Sequence, residues 1–149
     1  MLFARALFAF LVLPGLVAFV VPLSIANGAA GWPPFSTIGA LPLVIGVTLL
    51  LWCVREFYVV GKGTLAPRSP PKHLVTTGPY RASRNPMYVA VTLILLGWAI
   101  GFQSRGLAFY ALVVATFFHL RVVVFEEPWL GRTHGQAWTD YQRRVRRWL

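Results

Sequence analysis

Four long apolar runs, separated by short stretches rich in glycine, proline and basic residues, leave this chain few ways to fold. Runs of that length read as membrane spans, and in hydrocarbon a helix satisfies its own backbone polar groups. Ala6–Ala26 would extend ~31 Å as a helix, with Pro14-Gly15 at its middle set to kink it. A cleaved signal peptide is the competing reading, with Arg5 as its basic start and Ser24-Ile25-Ala26 as its cleavage site, but the apolar run is long for that role. Asn27–Ser36 is a Gly/Pro-rich loop. The second span covers Ile38–Val60, with Arg55 and Glu56 near its polar end, placed to snorkel or to pair. A proline-rich loop follows through Thr77. Met87–Phe102 is a short third span of ~24 Å. Gln103–Gly106 is a tight turn, and Leu107–Phe125 returns, so that the last two runs form a hairpin that crosses the bilayer or only penetrates it. The fold expected is therefore all-α. It is a single membrane-embedded domain over residues 1–149, with about four transmembrane helices, a polar cytoplasmic-side loop and a C-terminal amphipathic helix.

Composition supports an integral membrane protein: 57% of residues are hydrophobic and 12% charged, about half the charge of an ordinary soluble domain. The net charge of +10 does not mark a nucleic-acid binder. The cations lie beside apolar spans rather than in a basic domain of their own, which points to anionic lipid headgroups. On the four-span arrangement 13 of the 14 basic residues share one side and only Arg105 lies opposite. Both ends of the chain are then cytoplasmic. The compact chain points toward a bacterial inner membrane. Cys53, alone in an apolar run, has no intrachain disulfide partner. The oligomeric state is not legible.

Polar residues concentrate in two places. The first is the basic, turn-rich segment Lys72–Tyr88. Gly78-Pro79-Tyr80 is a turn signal, because glycine permits positive φ and proline pre-sets a turn or a first helical position. Asn85-Pro86 is a second breaker, with Pro86 opening the third span. Two helix starts so close together would aim free backbone N–H groups at one place, which suits an anion. A well-capped interfacial loop is the plainer reading. The second place is Glu126-Glu127, half of the four acids in the chain, at the foot of the last span. Arg121, one turn earlier, can pair with one of them. The pair either carries a catalytic or ammonium-binding role or neutralises a helix end. The tail Gly135–Leu149 reads as a helix with Trp138, Tyr141, Val145 and Trp148 on one face and Arg143, Arg144 and Arg147 off it. His73, His119 and His134 fit no zinc spacing, so no metal is expected. His119 reads as a helix-packing residue and His134 as a surface residue of the tail loop. No dinucleotide fingerprint, phosphate loop or nucleophile elbow is present.

Taken in order, His73-Leu74-Val75, Gly78-Pro79-Tyr80, Arg84-Asn85-Pro86-Met87-Tyr88, Glu126-Glu127 and Gly135…Tyr141…Val145…Arg147 resemble the isoprenylcysteine carboxyl methyltransferase family and the related membrane phospholipid N-methyltransferases. Trp138 departs from the pattern, which has tyrosine there. The resemblance implies an S-adenosylmethionine-dependent enzyme acting on a lipid-like or prenylated substrate at the cytoplasmic face of the membrane. It implies that His73, Leu74, Val75, Gly78, Tyr80, Asn85, Pro86, Tyr88 and Glu126 line the cofactor pocket. It places Glu127 and Arg147 near the transferring methyl and the polar group of the substrate. Whether the acceptor is a carboxylate, an amine or a thiol is not readable. A nicotinamide-dependent reductase of the sterol-reductase layout and a non-catalytic membrane scaffold are the rival readings.

Overall fold

In a computed structural model of the protein, residues 11–27, 34–60 and 74–149 are described. Their regular structure is helical throughout, without a strand among them. A π-helical stretch, Leu11–Val20, continues into α1, Val21–Ala26; α2 is Thr37–Val59. A 3-10 turn, Gly78–Arg81, precedes α3, Pro86–Gly101. Helix α4, Arg105–Arg121, passes through a second π-helical turn, Val122–Glu126, directly into α5, Glu127–His134, and α6 is Gln136–Arg144.

Among the described residues two helices are long and apolar enough to cross a membrane: α2, of 23 residues, and the continuous 30-residue helix Arg105–His134, with mean hydropathies of 2.2 and 2.0. Little of either apolar window is buried, 22% and 17%, so neither is the core helix of a soluble domain. Ile38, Leu41, Phe109 and Leu112 stand outward, each more than 60% exposed, as residues facing hydrocarbon would. The other two expected spans give shorter apolar helices, Pro14–Ala26 and Pro86–Gly101. The start of the first run, residues 6–10, lies outside the described residues.

The expected kink at Pro14-Gly15 takes the form of wide π-helical turns. A further proline then has a use. Pro22 has no N–H to offer the carbonyls one turn before it. The carbonyl of Ala18 accepts instead from Trp98 Nε1 at 2.9 Å, and that of Val17 from the Tyr110 hydroxyl at 3.1 Å. The first helix is thereby docked on α3 and α4 by hydrogen bonds that its own backbone cannot make. Helices α2 and α3 pack so closely that a Cβ on Gly39 would stand 2.3 Å from the backbone nitrogen of Gly101, and one on Gly97 2.7 Å from that of Leu43. Small residues at such contacts let membrane helices approach backbone to backbone. Around this seam Leu50, Ala90, Val91, Ile94, Leu95, Ala111 and Val114 form the core.

Two expectations about the end of the chain are corrected. The last span does not stop at Phe125: the helix runs on to His134, which therefore ends α5 rather than sitting in a loop. The tail helix does not reach residue 148. It stops at Arg144, where Val145 turns extended (φ −123°, ψ 133°), and Val145–Leu149 continues as a strap. The reason lies in what the strap meets. The backbone N–H of Arg84 donates to the carbonyl of Arg146 at 2.9 Å, and Asn85 Nδ2 donates to that of Arg147 at 3.0 Å. Carbonyls bound from outside in this way suit an extended segment better than another helical turn.

Candidate functional site

The turn Gly78–Arg81 depends on its first residue. Gly78 has φ +56°, and a Cβ there would lie 3.0 Å from the Glu56 side chain and from Trp52 Nε1. Pro79 and Tyr80 are buried behind it. The Tyr141 hydroxyl donates to the Tyr80 carbonyl at 2.7 Å, which ties α6 to the turn. Burial raises the phenol of Tyr141 to about 12, against the opposing pull of Arg84, and raises that of Tyr80 well above the ordinary range. Both are neutral hydrogen-bonding groups at physiological pH.

Beyond the turn the chain reverses through buried Ser83 into α3. Asn85 stands at the N-cap of α3, but its side chain caps nothing there. The N–H groups of Arg84 and Asn85, aimed at an anion on the sequence expectation, are engaged by the Arg146 carbonyl and by Ser83 Oγ. The anion-facing group is the side chain of Arg84. It is 9% exposed, one terminal nitrogen donates to Glu127 Oε1 at 2.7 Å, and its guanidinium lies 5.7 Å over the ring of Trp138. Its Nε is buried without a partner. Sequence reasoning included Arg84 in the motif but not in the site. The available signal was that Arg84 directly precedes the Asn85-Pro86 breaker.

The acid pair is divided by the π-helical turn Val122–Glu126. Wide turns place residues five apart on one line. Arg121 Nε accordingly reaches Glu126 Oε1 at 2.8 Å, five residues on, and the Tyr88 hydroxyl donates to the same oxygen. Glu127 faces the other way. Its Oε1 accepts from Arg84 and, at 2.9 Å, from Arg147 Nε, while Oε2 accepts from Arg147 at 2.8 Å. This two-pronged bond holds the Arg147 guanidinium above its ordinary value. Arg147 reaches inward because the helix ends at Arg144; a regular helix to residue 148 would have turned it off the buried aromatic face. Trp148, freed from that face, stacks on His119 with ring centroids 5.9 Å apart.

The loop and the acid pair thus meet beside one cavity of about 870 Å³. Of the expected pocket residues, Leu74, Val75, Tyr80, Asn85, Tyr88 and Glu126 line it. Gly78 and Pro86 do not; they shape the backbone behind the wall. Glu127 and Arg147 lie outside the lining, joined to it through Arg84. His73 lies outside the described residues. Arg84, Trp138, Tyr141 and His134 also line the cavity. Its far end is apolar, bounded by Pro14, Val17, Val91 and Val113. Val113 and Glu126 are separated by about 20 Å of helix, so the cavity runs from a charged end to an apolar one. Val113, Phe117 and Phe125 line it while standing about half to two-thirds exposed, which opens its side at the outer face of α4. Among the described residues no cluster of histidine, cysteine and acid could hold a metal.

The chain is 27% identical over 135 residues to the nickel-cobalt-cadmium resistance protein NccN of Alcaligenes xylosoxydans xylosoxydans, an alignment covering 87% of this chain and 59% of that protein. It therefore spans well under two-thirds of that relative's length. No solved structure matches it. A family model, phospholipid methyltransferase, matches residues 35–137, from the start of α2 to the start of α6, and on that match the chain belongs to the phospholipid methyltransferase family.

Proposed function

We propose that this protein is an S-adenosylmethionine-dependent methyltransferase that modifies a lipid-like or prenylated acceptor at the cytoplasmic face of the membrane. The observation that carries the reading is the polarity of one elongated cavity. Tyr88, Glu126 and the unpartnered Nε of buried Arg84 stand at one end, and aliphatic side chains at the other. A zwitterionic nucleoside fits the polar end. The orphaned Arg84 Nε answers a carboxylate, Glu126 answers a cation, and Tyr80, Trp138 and Tyr141 offer aromatic surface to a base. The volume is within the range of small-molecule sites.

When bound, the cofactor supplies a methyl group on a sulfonium, an electrophile that needs placement more than activation. The residues of this chain do the rest. Arg84, clamped by Glu127 and laid over Trp138, is fixed in direction and orients an anionic group. Glu126 keeps a carboxylate in the wall, aimed by Tyr88 and Arg121. Arg147, half-buried, is the donor nearest the outside of the network and suits the polar group of the acceptor. An amine acceptor must lose a proton, and Glu126 is the acid in the cavity wall that can take it, directly or through water. The side opening at α4 admits the apolar part of the acceptor from the bilayer. On this reading both ends of the chain lie on the cytoplasmic side of a four-span bacterial inner membrane protein, which the distribution of basic residues supports.

Calorimetric titration of the purified protein in detergent with S-adenosylhomocysteine tests the reading. Saturable binding, abolished by Tyr88→Ala or Glu126→Ala, is expected. Absence of binding across several detergents and added lipids would overturn it.

A further inference from the structure

Glu56 is the most enclosed of the four acids in the chain, and neither the cavity wall nor the Arg84–Glu127 network uses it. The residue is 5% exposed and stands in the last turn of α2. A buried carboxylate needs hydrogen bonds to offset the loss of water. Among the described residues it has two. One comes from Arg55, at 3.1 Å, but that side chain is 67% exposed, and an ion pair with one partner in solvent contributes little. The other comes from across the fold. Thr77 Oγ1 donates to Glu56 Oε2 at 2.5 Å, over a separation of 21 residues.

Thr77 is the extended residue at the N-cap of the Gly78–Arg81 turn, so this bond fixes where the turn begins. The stem of Glu56 fixes where it lies, because the missing side chain of Gly78 is the space that the Glu56 methylenes and Trp52 occupy. One residue further along α2, Phe57 packs against Tyr80 with ring centroids 5.6 Å apart, and both rings line the cavity. Glu56 itself does not reach the cavity. It acts on the wall through Thr77 and Gly78.

We infer that Glu56 is a positioning residue, setting the Thr77–Tyr80 turn and with it the affinity of the polar end of the cavity for the methyl donor. The inference rests on the methyltransferase reading. A carboxamide at position 56 still accepts from Thr77 and an alanine does not, whereas valine at 77 keeps the shape of threonine without its hydroxyl.

The test is titration of S-adenosylhomocysteine into the full chain in detergent, reading dissociation constant and stoichiometry separately. Glu56→Ala and Thr77→Val are each expected to weaken binding about tenfold at unchanged stoichiometry, the double variant about as much as either alone, and Glu56→Gln less than about threefold. A role in packing alone would lower the bindable fraction and the unfolding temperature but leave the dissociation constant of the folded molecules as it was. Should Glu56→Ala fail to fold, Thr77→Val and Glu56→Gln carry the test. Unchanged affinity in Thr77→Val, or losses that multiply in the double variant, would overturn this inference while the methyltransferase reading stands. A wild-type protein that binds no S-adenosylhomocysteine would overturn both.

Discussion

Glu127 accepts three hydrogen bonds from two arginines, and the two partners are not equivalent. Arg84 is 9% exposed and Arg147 35%. Removing the acid leaves a buried guanidinium without its counter-charge, a loss of about 3–5 kcal/mol when a buried pair is broken from one side. Removing Arg147 leaves Glu127 still paired with Arg84. Glu127→Ala is therefore expected to lower stability toward denaturant in mixed micelles by at least about 3 kcal/mol, and Arg147→Ala by about 1 kcal/mol. Equal losses would show that the network has no buried centre. At this scale much of the candidate site was legible. Asn85 and Glu126 could be picked out as a breaker and a scarce acid against apolar sequence, and Tyr88 entered only through the family resemblance. Glu56 could not, since only the fold brings Thr77 to it from 21 residues away. Nor could the opposite facing of two adjacent glutamates be read from the residues themselves, because adjacency in sequence says nothing of a π-helical turn between helix and helix.

At the scale of elements that turn is the decisive feature. Residues Val122–Glu126 contain one residue more than an α-helical register needs. Inserting one alanine between Val123 and Val124 would exceed what this turn absorbs and rotate everything after it by about 100° relative to α4. Circular dichroism is expected to show helix content unchanged, while S-adenosylhomocysteine binding falls more than about tenfold as Glu126 leaves Tyr88 and Glu127 leaves Arg84. Binding preserved after the insertion would mean that the acids find their partners regardless of register. The positions of the apolar helices were readable from run length and breakers to within a few residues: α2 and α3 begin and end close to the expected limits. The end of α6 was not. The periodicity of Trp138, Tyr141, Val145 and Trp148 fits a helix well, and tertiary hydrogen bonds from Arg84 and Asn85 override it.

For the whole molecule the property to measure is which side of the membrane each end of the helices faces. Helices α2 and Arg105–His134 have the length, while α3, at 16 residues, extends only ~24 Å. The charge asymmetry still predicts that the α3–α4 turn faces away from the tail. In a Cys53→Ala background, Gly106→Cys has room for its new side chain, the nearest atom being 3.7 Å away, and Gln142→Cys is exposed on α6. A membrane-impermeant maleimide added outside intact bacterial spheroplasts is expected to label position 106 and not 142; labelling of both or of neither would refute the arrangement. One further property belongs to the molecule as a whole. The strap is gripped at Arg146 by a peptide oxygen while the side chain stands exposed, and at Arg147 by peptide oxygen and side chain together. Drift or deliberate exchange at position 146 can therefore change the charge of this exposed surface while the same latch continues to fasten.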